Sequence, residues 1–298
     1  ALCNKLDIYI ITIEKNFFIL IKYMKILKNK ILNKLPLIET VIDSNKDTPF
    51  IPTEPLPKNP SQFFYFVGQA GSGKSSTMVS MLMSKKPRYY RRFFDKLFLI
   101  SPSHQTLPQK FINALNEDRI FDKYSEDLVR DIVEELKEGE NENSLLILDD
   151  SIRDINKSKS SILNKCILNR RHCTYNPDEE KNASLSIWIM SQKYNLLDLS
   201  YRNNCSVVFL WKTENQKEKK AIKEELMSDL DDKTAEKLLK EAWKKKYNFL
   251  MIKCAEPKKD RYYINFDKVV FEDSSDDEED EIENENINEN IIINKSKK

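Results

Sequence analysis

Seven short apolar runs punctuate the chain, at 62–67 (QFFYFV), 96–100, 144–149, 185–190, 206–211, 249–253 and 262–266. Each is too short for a stable helix, rich in branched or aromatic residues, and bounded by polar ones, which predicts a strand. Between most of them lie stretches whose apolar residues recur at three- and four-residue spacing. These predict helices, notably over 74–84, 125–138, 156–168, 216–226 and 233–244. Strand and helix in alternation predict an α/β fold, a mainly parallel sheet with helices on both faces.

The pattern is confined to a body of 61–271. Before it, Pro49, Pro52, Pro55, Pro57 and Pro60 mark an extended linker, and 1–60 reads as a basic, helical N-terminal extension plus that linker. The apolar stretch 8–27 is interrupted by Glu14, Lys15, Lys22 and Lys25, so no stable membrane span is expected. It has no signal-peptide layout either. The chain opens on Ala, and Met24 is a plausible native start, which mass spectrometry of the natural N-terminus would test. After the body, 272–298 is acidic, Asn-rich and expected to be disordered, with eleven Asp/Glu before the three closing lysines.

Removing that tail changes the charge picture. A formal net charge of +1 becomes 46 Lys/Arg against 37 Asp/Glu over 1–271, a surplus of nine. A basic body suits a polyanionic partner. The five cysteines, at 3, 166, 173, 205 and 254, show no metal-type spacing and read as reduced thiols. With two histidines in the chain, His172-Cys173 is a satisfied polar pair rather than a zinc ligand set.

Three of the four glycines sit in one six-residue window, Gly68-Gln69-Ala70-Gly71-Ser72-Gly73, followed at once by Lys74, Ser75 and Ser76. This is a complete phosphate-binding loop, lying between a predicted strand and a predicted helix as the motif requires. Glycines let successive N–H groups face a phosphate chain, and the following helix directs its positive end at the same anion. Gly68 to Ser76 are therefore candidate ATP ligands. Lys74 would reach the β- and γ-phosphates, and the Ser75 hydroxyl would bind Mg²⁺.

Four aliphatics and two carboxylates follow at Leu145-Leu146-Ile147-Leu148-Asp149-Asp150. A buried strand that ends in acid fits a Mg²⁺ ligand at Asp149 and a general base at Asp150. Room for the strand 96–100 between the two motifs points to P-loop ATPases with an additional strand beside the nucleotide strand. The run 185–190 ends in Ser191-Gln192, where Gln192 could sense the γ-phosphate or the attacking water. Arg202, just before the strand 206–211, could be a finger offered to a neighbouring subunit or an ordinary salt-bridge arginine. Arg171, in Arg170-Arg171-His172, could contact phosphate or the next subunit.

Taken in order, these motifs resemble the poxvirus-type DNA-packaging ATPases of large DNA viruses and virophages, within the FtsK–HerA class. The resemblance rests on 68–75, Ile100-Ser101-Pro102, 145–150, Arg171-His172, 187–192 with Tyr194, and Arg202-Asn203. It covers roughly 61–271. It implies a homo-oligomeric ring, pentamer or hexamer, with double-stranded DNA in its pore, ATP and Mg²⁺ at its sites, and a capsid protein contact. It also implies residence in the host cytoplasm and in the virion. One departure is that relatives in the wider class place Glu second in the acidic pair, where this chain has Asp150.

For gripping duplex phosphates, the best basic segment is Lys85-Lys86-Pro87-Arg88 with Arg91-Arg92, unless it is simply a solvated surface run. Arg153, Lys157 and Lys159 form a weaker second cluster beside acids. Alternatives are another P-loop helicase or translocase, a phage-type morphogenesis ATPase, or a nucleotide switch that scarcely hydrolyses.

Overall fold

The computed structural model describes residues 24–27, 54–139, 143–158, 161–170, 172–178 and 181–271. The acidic tail, residues 1–23, Pro49, Pro52, Lys159 and Arg171 lie outside the described residues. The chain divides into two units, 28–268 and 1–27 with 269–298. In the second, the described parts are a strand, β1 (Met24–Leu27), and the end of its neighbour β12 (Asp267–Phe271). The N-terminal extension, expected to be helical, is thus extended where it is described. Pairing to a strand edge overrides a weak local preference.

The larger unit carries the sheet. Its strands are β2 (Phe63–Val67), β3 (Lys96–Ile100), β4 (Ile120–Phe121), β5 (Asn143–Asp149), β8 (Ser184–Ser191), β9 (Val207–Trp211), β10 (Phe249–Lys253) and β11 (Tyr262–Ile264). A separate small hairpin pairs β6 (Tyr175–Asn176) with β7 (Lys181–Asn182). In space the order is β11-β10-β9-β2-β8-β5-β3-β4. From β9 to β4 every pairing is parallel; β10 and β11 join antiparallel at one edge.

The additional strand is there, but it is not 96–100. That strand is β3, which pairs with the outer side of β5. The strand inserted between nucleotide strand β2 and acidic strand β5 is β8, paired to both. Consequently Val67, Ser191 and Asp149 end side by side, and the last residues of three strands converge at one edge.

The helices are α1 (Lys74–Met83), α2 (Gln109–Ile112), α3 (Glu126–Glu138), α4 (Ile152–Ser158), α5 (Ser161–Leu168), α6 (Leu199–Arg202), α7 (Gln216–Leu226), α8 (Asp232–Ala242) and α9 (Lys258–Arg261). Where a single helix is expected over 156–168 there are two elements, α4 and α5, with 159–160 outside the described residues.

Strand alternation divides the buried side chains between two faces. Phe64, Phe66, Trp188, Phe209 and Trp211 share one cluster with Met78, Val79, Met81 and Leu82 of α1. Their rings stack, Phe66 on Phe209 at 4.5 Å and Phe64 on Trp188 at 5.2 Å. Tyr65 faces the other way and packs on Tyr194, with ring centroids 6.0 Å apart. The α1 helix is therefore clamped against the strand that feeds its own loop. Truncating a core aromatic such as Trp188 to Ala would cost about 3–5 kcal/mol.

Candidate nucleotide-binding site

The loop from β2 to α1 must turn sharply with its amides inward. Gly71 and Gly73 take φ of 74° and 107°, a region that glycine enters without steric cost. Gly68 meets a different need. A Cβ there would lie 2.6 Å from Ser72 Oγ and 2.7 Å from Trp211 Cβ, so no side chain fits. The Gly68 N–H donates to Ser191 O at 3.0 Å, and Ser72 N–H donates to Gln69 O at 3.1 Å. These bonds fasten the loop to the end of β8 and close its turn. Gln69, Ala70 and Ser76 are exposed, and Ser75 is half-buried at the start of α1. No side chain caps that helix start, which leaves its first amides and positive end for an anion.

Lys74 is 8% exposed. Its ammonium donates to Gly68 O at 2.6 Å and Gln69 O at 3.2 Å, folding the side chain back over its own loop. Burial pushes its pKa down, and the carboxylates of Asp150 and Asp149 oppose that. Lys74 and both acids therefore face one another electrostatically across the end of the sheet.

Asp149 is 5% exposed. Burial, and then the charge of Asp150, push its carboxyl above the ordinary value; the hydroxyl of Ser101, donating at 3.2 Å, and Lys74 pull the other way. Asp150 is exposed and takes φ 50°, a left-handed conformation that Asp tolerates better than most residues. Gln192 Nε2 donates to Asp150 Oδ1 at 3.5 Å, a long bond that links the ends of β5 and β8.

These donors fit magnesium. Mg²⁺ is typically held by one or two carboxylates and a hydroxyl, with substrate phosphate and water completing the octahedron. Asp149 and Ser75 are hard oxygen donors of that kind. No group of three or more His, Cys, Asp or Glu capable of holding a metal occurs among the described residues. Inside the loop, Ser72 Oγ is buried without a hydrogen-bond partner, as a cradle awaiting an anion would leave it.

Arg202 has a different setting from the one a mobile finger needs. Its guanidinium bonds Glu225 at 2.8 Å, lies 4.7 Å from the Tyr194 ring centroid, and donates to Leu197 O at 3.2 Å. Its side chain is 10% exposed. The salt-bridge reading is the one that matches this geometry. Tyr194 OH in turn donates to Glu225 at 2.9 Å. Beneath it, Tyr65 OH donates to the carbonyls of Lys193 and Tyr194 at 3.1 and 2.9 Å. The backbone just after Gln192 is thus held from two sides.

Other expected residues fall elsewhere. Arg170 straps Ser61 O at 2.7 Å and Ile167 O at 3.1 Å, joining the start of the body to α5. The segment 85–92 lies past the far end of α1, about 15 Å along a ten-residue helix from Lys74. Lys85, Lys86 and Arg92 are exposed there, while Tyr89 and Tyr90 anchor the segment in the core.

Two contributors were missed by sequence reasoning. Ser101, bonded to Asp149, sits in the quoted Ile100-Ser101-Pro102, but position in a motif does not reveal that β3 lies beside β5. Trp211 walls the loop at Gly68, and only the pairing of β2 with β9 brings it there.

No family model matches the sequence, and no curated protein matches it. Solved structures similar in fold include the genome packaging NTPase B204 of Sulfolobus turreted icosahedral virus 2 in complex with AMPPCP, at 15% identity over 69% of this chain and 97% of that one, TM-score 0.48. B204 from Sulfolobus turreted icosahedral virus, described as a DNA-packaging ATPase, gives the same figures. The pCW3 conjugation coupling protein TcpA with ATPγS is 13% identical over 72% of this chain and 61% of that one, TM-score 0.42. The strand order and glycine loop of this chain form an α/β P-loop fold with an additional strand, β8, between β2 and β5.

Proposed function

We propose that this chain is an ATP-hydrolysing translocase of double-stranded DNA. It would act as a homo-oligomeric ring of five or six subunits that packages a viral genome into its capsid. The observation that carries the nucleotide half is the convergence of Lys74, Asp149, Asp150 and Gln192 at the ends of β2, β5 and β8. The DNA half is supported by the order of motifs from Gly68 to Arg202 and by the surplus of nine positive charges over 1–271.

The chemistry follows from the residues. Lys74 leaves the carbonyls of Gly68 and Gln69 for the β- and γ-phosphates of ATP, exchanging neutral acceptors for anionic ones. The 68–76 amides and the α1 start hold the phosphate chain. Asp149 and the Ser75 hydroxyl would hold Mg²⁺, which would supply neutralising charge to the phosphate chain. Asp150 orients the attacking water, and Gln192, bonded to Asp150, registers the γ-phosphate. We assign Arg202 a positioning role within its own subunit, steadying the segment after Gln192. Arg171 is then the arginine offered across a subunit interface. The exposed 85–92 segment would grip duplex phosphates without reading bases. A capsid contact and residence in the host cytoplasm and virion complete the proposal.

The test is ATP turnover by the full chain, with and without blunt duplex DNA, beside a native mass measurement. Stimulation by duplex DNA in a five- or six-subunit species is expected, with Lys74→Ala as the inactive control. A folded oligomer without turnover on duplex DNA would exclude the motor, and strand separation would favour a helicase.

A further inference from the structure

Tyr247 is a large aromatic residue, 56% exposed, whereas the other tyrosines and tryptophans among the described residues are mostly buried. Its backbone takes φ 70°, a costly conformation for a bulky residue that persists only when its surroundings enforce it. The surroundings are explicit. Trp211 Nε1 donates to Tyr247 O at 3.2 Å. Trp243 Nε1 donates to Leu210 O at 2.9 Å, fixing the end of α8. Asn265 accepts from Phe249 N–H at 3.1 Å and donates to Asn248 Oδ1 at 3.2 Å. An exposed ring on a pinned backbone is a preorganised contact surface.

The ring lies beside the phosphate loop. A Cβ on Gly73 would be 3.6 Å from Tyr247 Cδ1 and 3.5 Å from Trp211 Nε1. Sheet topology puts it on a particular side. The acids and Gln192 end strands β5 and β8, on one flank of β2; β9 and β10 lie on the other. Because β10 runs antiparallel, with Phe249 opposite Trp211, its beginning shares the site end of the sheet. A nucleotide with its γ-phosphate at Asp149 and Lys74 therefore sends its ribose and base across Gly73 toward Tyr247.

We propose that Tyr247 is the platform on which the nucleobase stacks, making it a residue that sets the affinity of the site for a base-bearing ligand over a bare polyphosphate. Lys246, whose ammonium is 4.8 Å from the ring centroid, adds positive charge beside the ribose and α-phosphate. The inference rests on the nucleotide reading of the site given above. Stacking on an aromatic ring contributes on the order of tenfold in affinity, whichever base is presented.

The test separates base from phosphate. With Mg²⁺ present, the full chain, Tyr247→Ala and Tyr247→Phe are titrated with ATPγS and with inorganic tripolyphosphate, which has no base. The expected result is roughly tenfold weaker ATPγS binding by Tyr247→Ala, unchanged tripolyphosphate binding, and near-normal binding of both by Tyr247→Phe. Unchanged ATPγS binding by Tyr247→Ala overturns the platform alone. Equal loss of both ligands also overturns it, since that marks a distorted loop. A wild-type chain that binds neither ligand overturns the nucleotide reading itself, and the platform with it.

Discussion

Two charged clusters lie near the ends of the parallel strands, and they are built on opposite principles. Around Arg202 the charges are paired: the guanidinium bonds Glu225, Tyr194 bonds the same carboxylate, and the Leu197 carbonyl takes a further donor, which leaves Nε buried without a hydrogen-bond partner. Around Lys74 the balance is partial: it feels the charges of Asp149 and Asp150, but its hydrogen bonds go to neutral carbonyls. A buried ammonium rests on neutral carbonyls, and the buried Asp149 faces another carboxylate, with a single hydroxyl donor from Ser101. Burying charge without a partner costs stability unless something else supplies the missing charge. The first cluster holds its ion pair within the chain; on the proposed reading, a polyanion and a divalent cation would complete the second.

That contrast predicts opposite mutational signatures. The largest effect on activity is expected from Lys74→Ala: hydrolysis should fall by at least about a hundredfold, while the thermal midpoint of the unliganded chain holds or rises. A clear fall in unliganded stability would show that Lys74 is structural.

Asp149→Asn should be nearly as damaging to turnover, and its effect on stability should depend on pH. The folded pKa of Asp149 is raised, so its contribution to stability is present below the ordinary carboxylate value and is lost as pH rises through the folded value. At neutral pH the ionised group is therefore a burden. Asp149→Asn should be more stable than wild type there without Mg²⁺ and ATP, and the gain should shrink as pH falls toward about 4. Denaturant melts across pH would check this; a variant less stable than wild type at neutral pH contradicts it.

Arg202→Ala should show the reverse pattern. It strands Glu225 and loses the Tyr194 ring contact, so a destabilisation of about 3 kcal/mol is expected, with a smaller drop in turnover once the protein is folded. Arg202→Lys should recover part of the stability but not the two-sided contact. Mixing Arg202→Ala subunits with Lys74→Ala subunits sharpens the point, because a finger acting in trans would be complemented and a positioning residue would not.

The sequence made the individual strands and the glycine loop legible, because each strand is an uninterrupted apolar run and the loop has fixed chemistry at fixed spacing. The ends of β2, β3, β5 and β10 were read to within a residue. Spatial order was less accessible. An apolar run such as 96–100 looks the same whether it lies beside β2 or outside β5, and that choice decides which strand carries Gln192 toward the loop. Direction was hidden likewise: 249–253 is as apolar as a parallel strand but runs antiparallel, which is what brings Tyr247 beside the glycine loop. Short elements such as β4 and β6 have too few residues for any periodicity to register. Arg202 could not be decided from its neighbours in sequence, since Glu225 lies 23 residues away.

The central claim is that loop and acids form one magnesium–nucleotide site. A crystal structure with Mg²⁺ and a non-hydrolysable ATP analogue tests it most directly. The account predicts phosphates within the 68–76 loop, Lys74 Nζ turned from Gly68 O onto them, and metal density between Ser75 and Asp149. Nucleotide bound elsewhere, or Lys74 still resting on its own carbonyls beside an occupied loop, would contradict it.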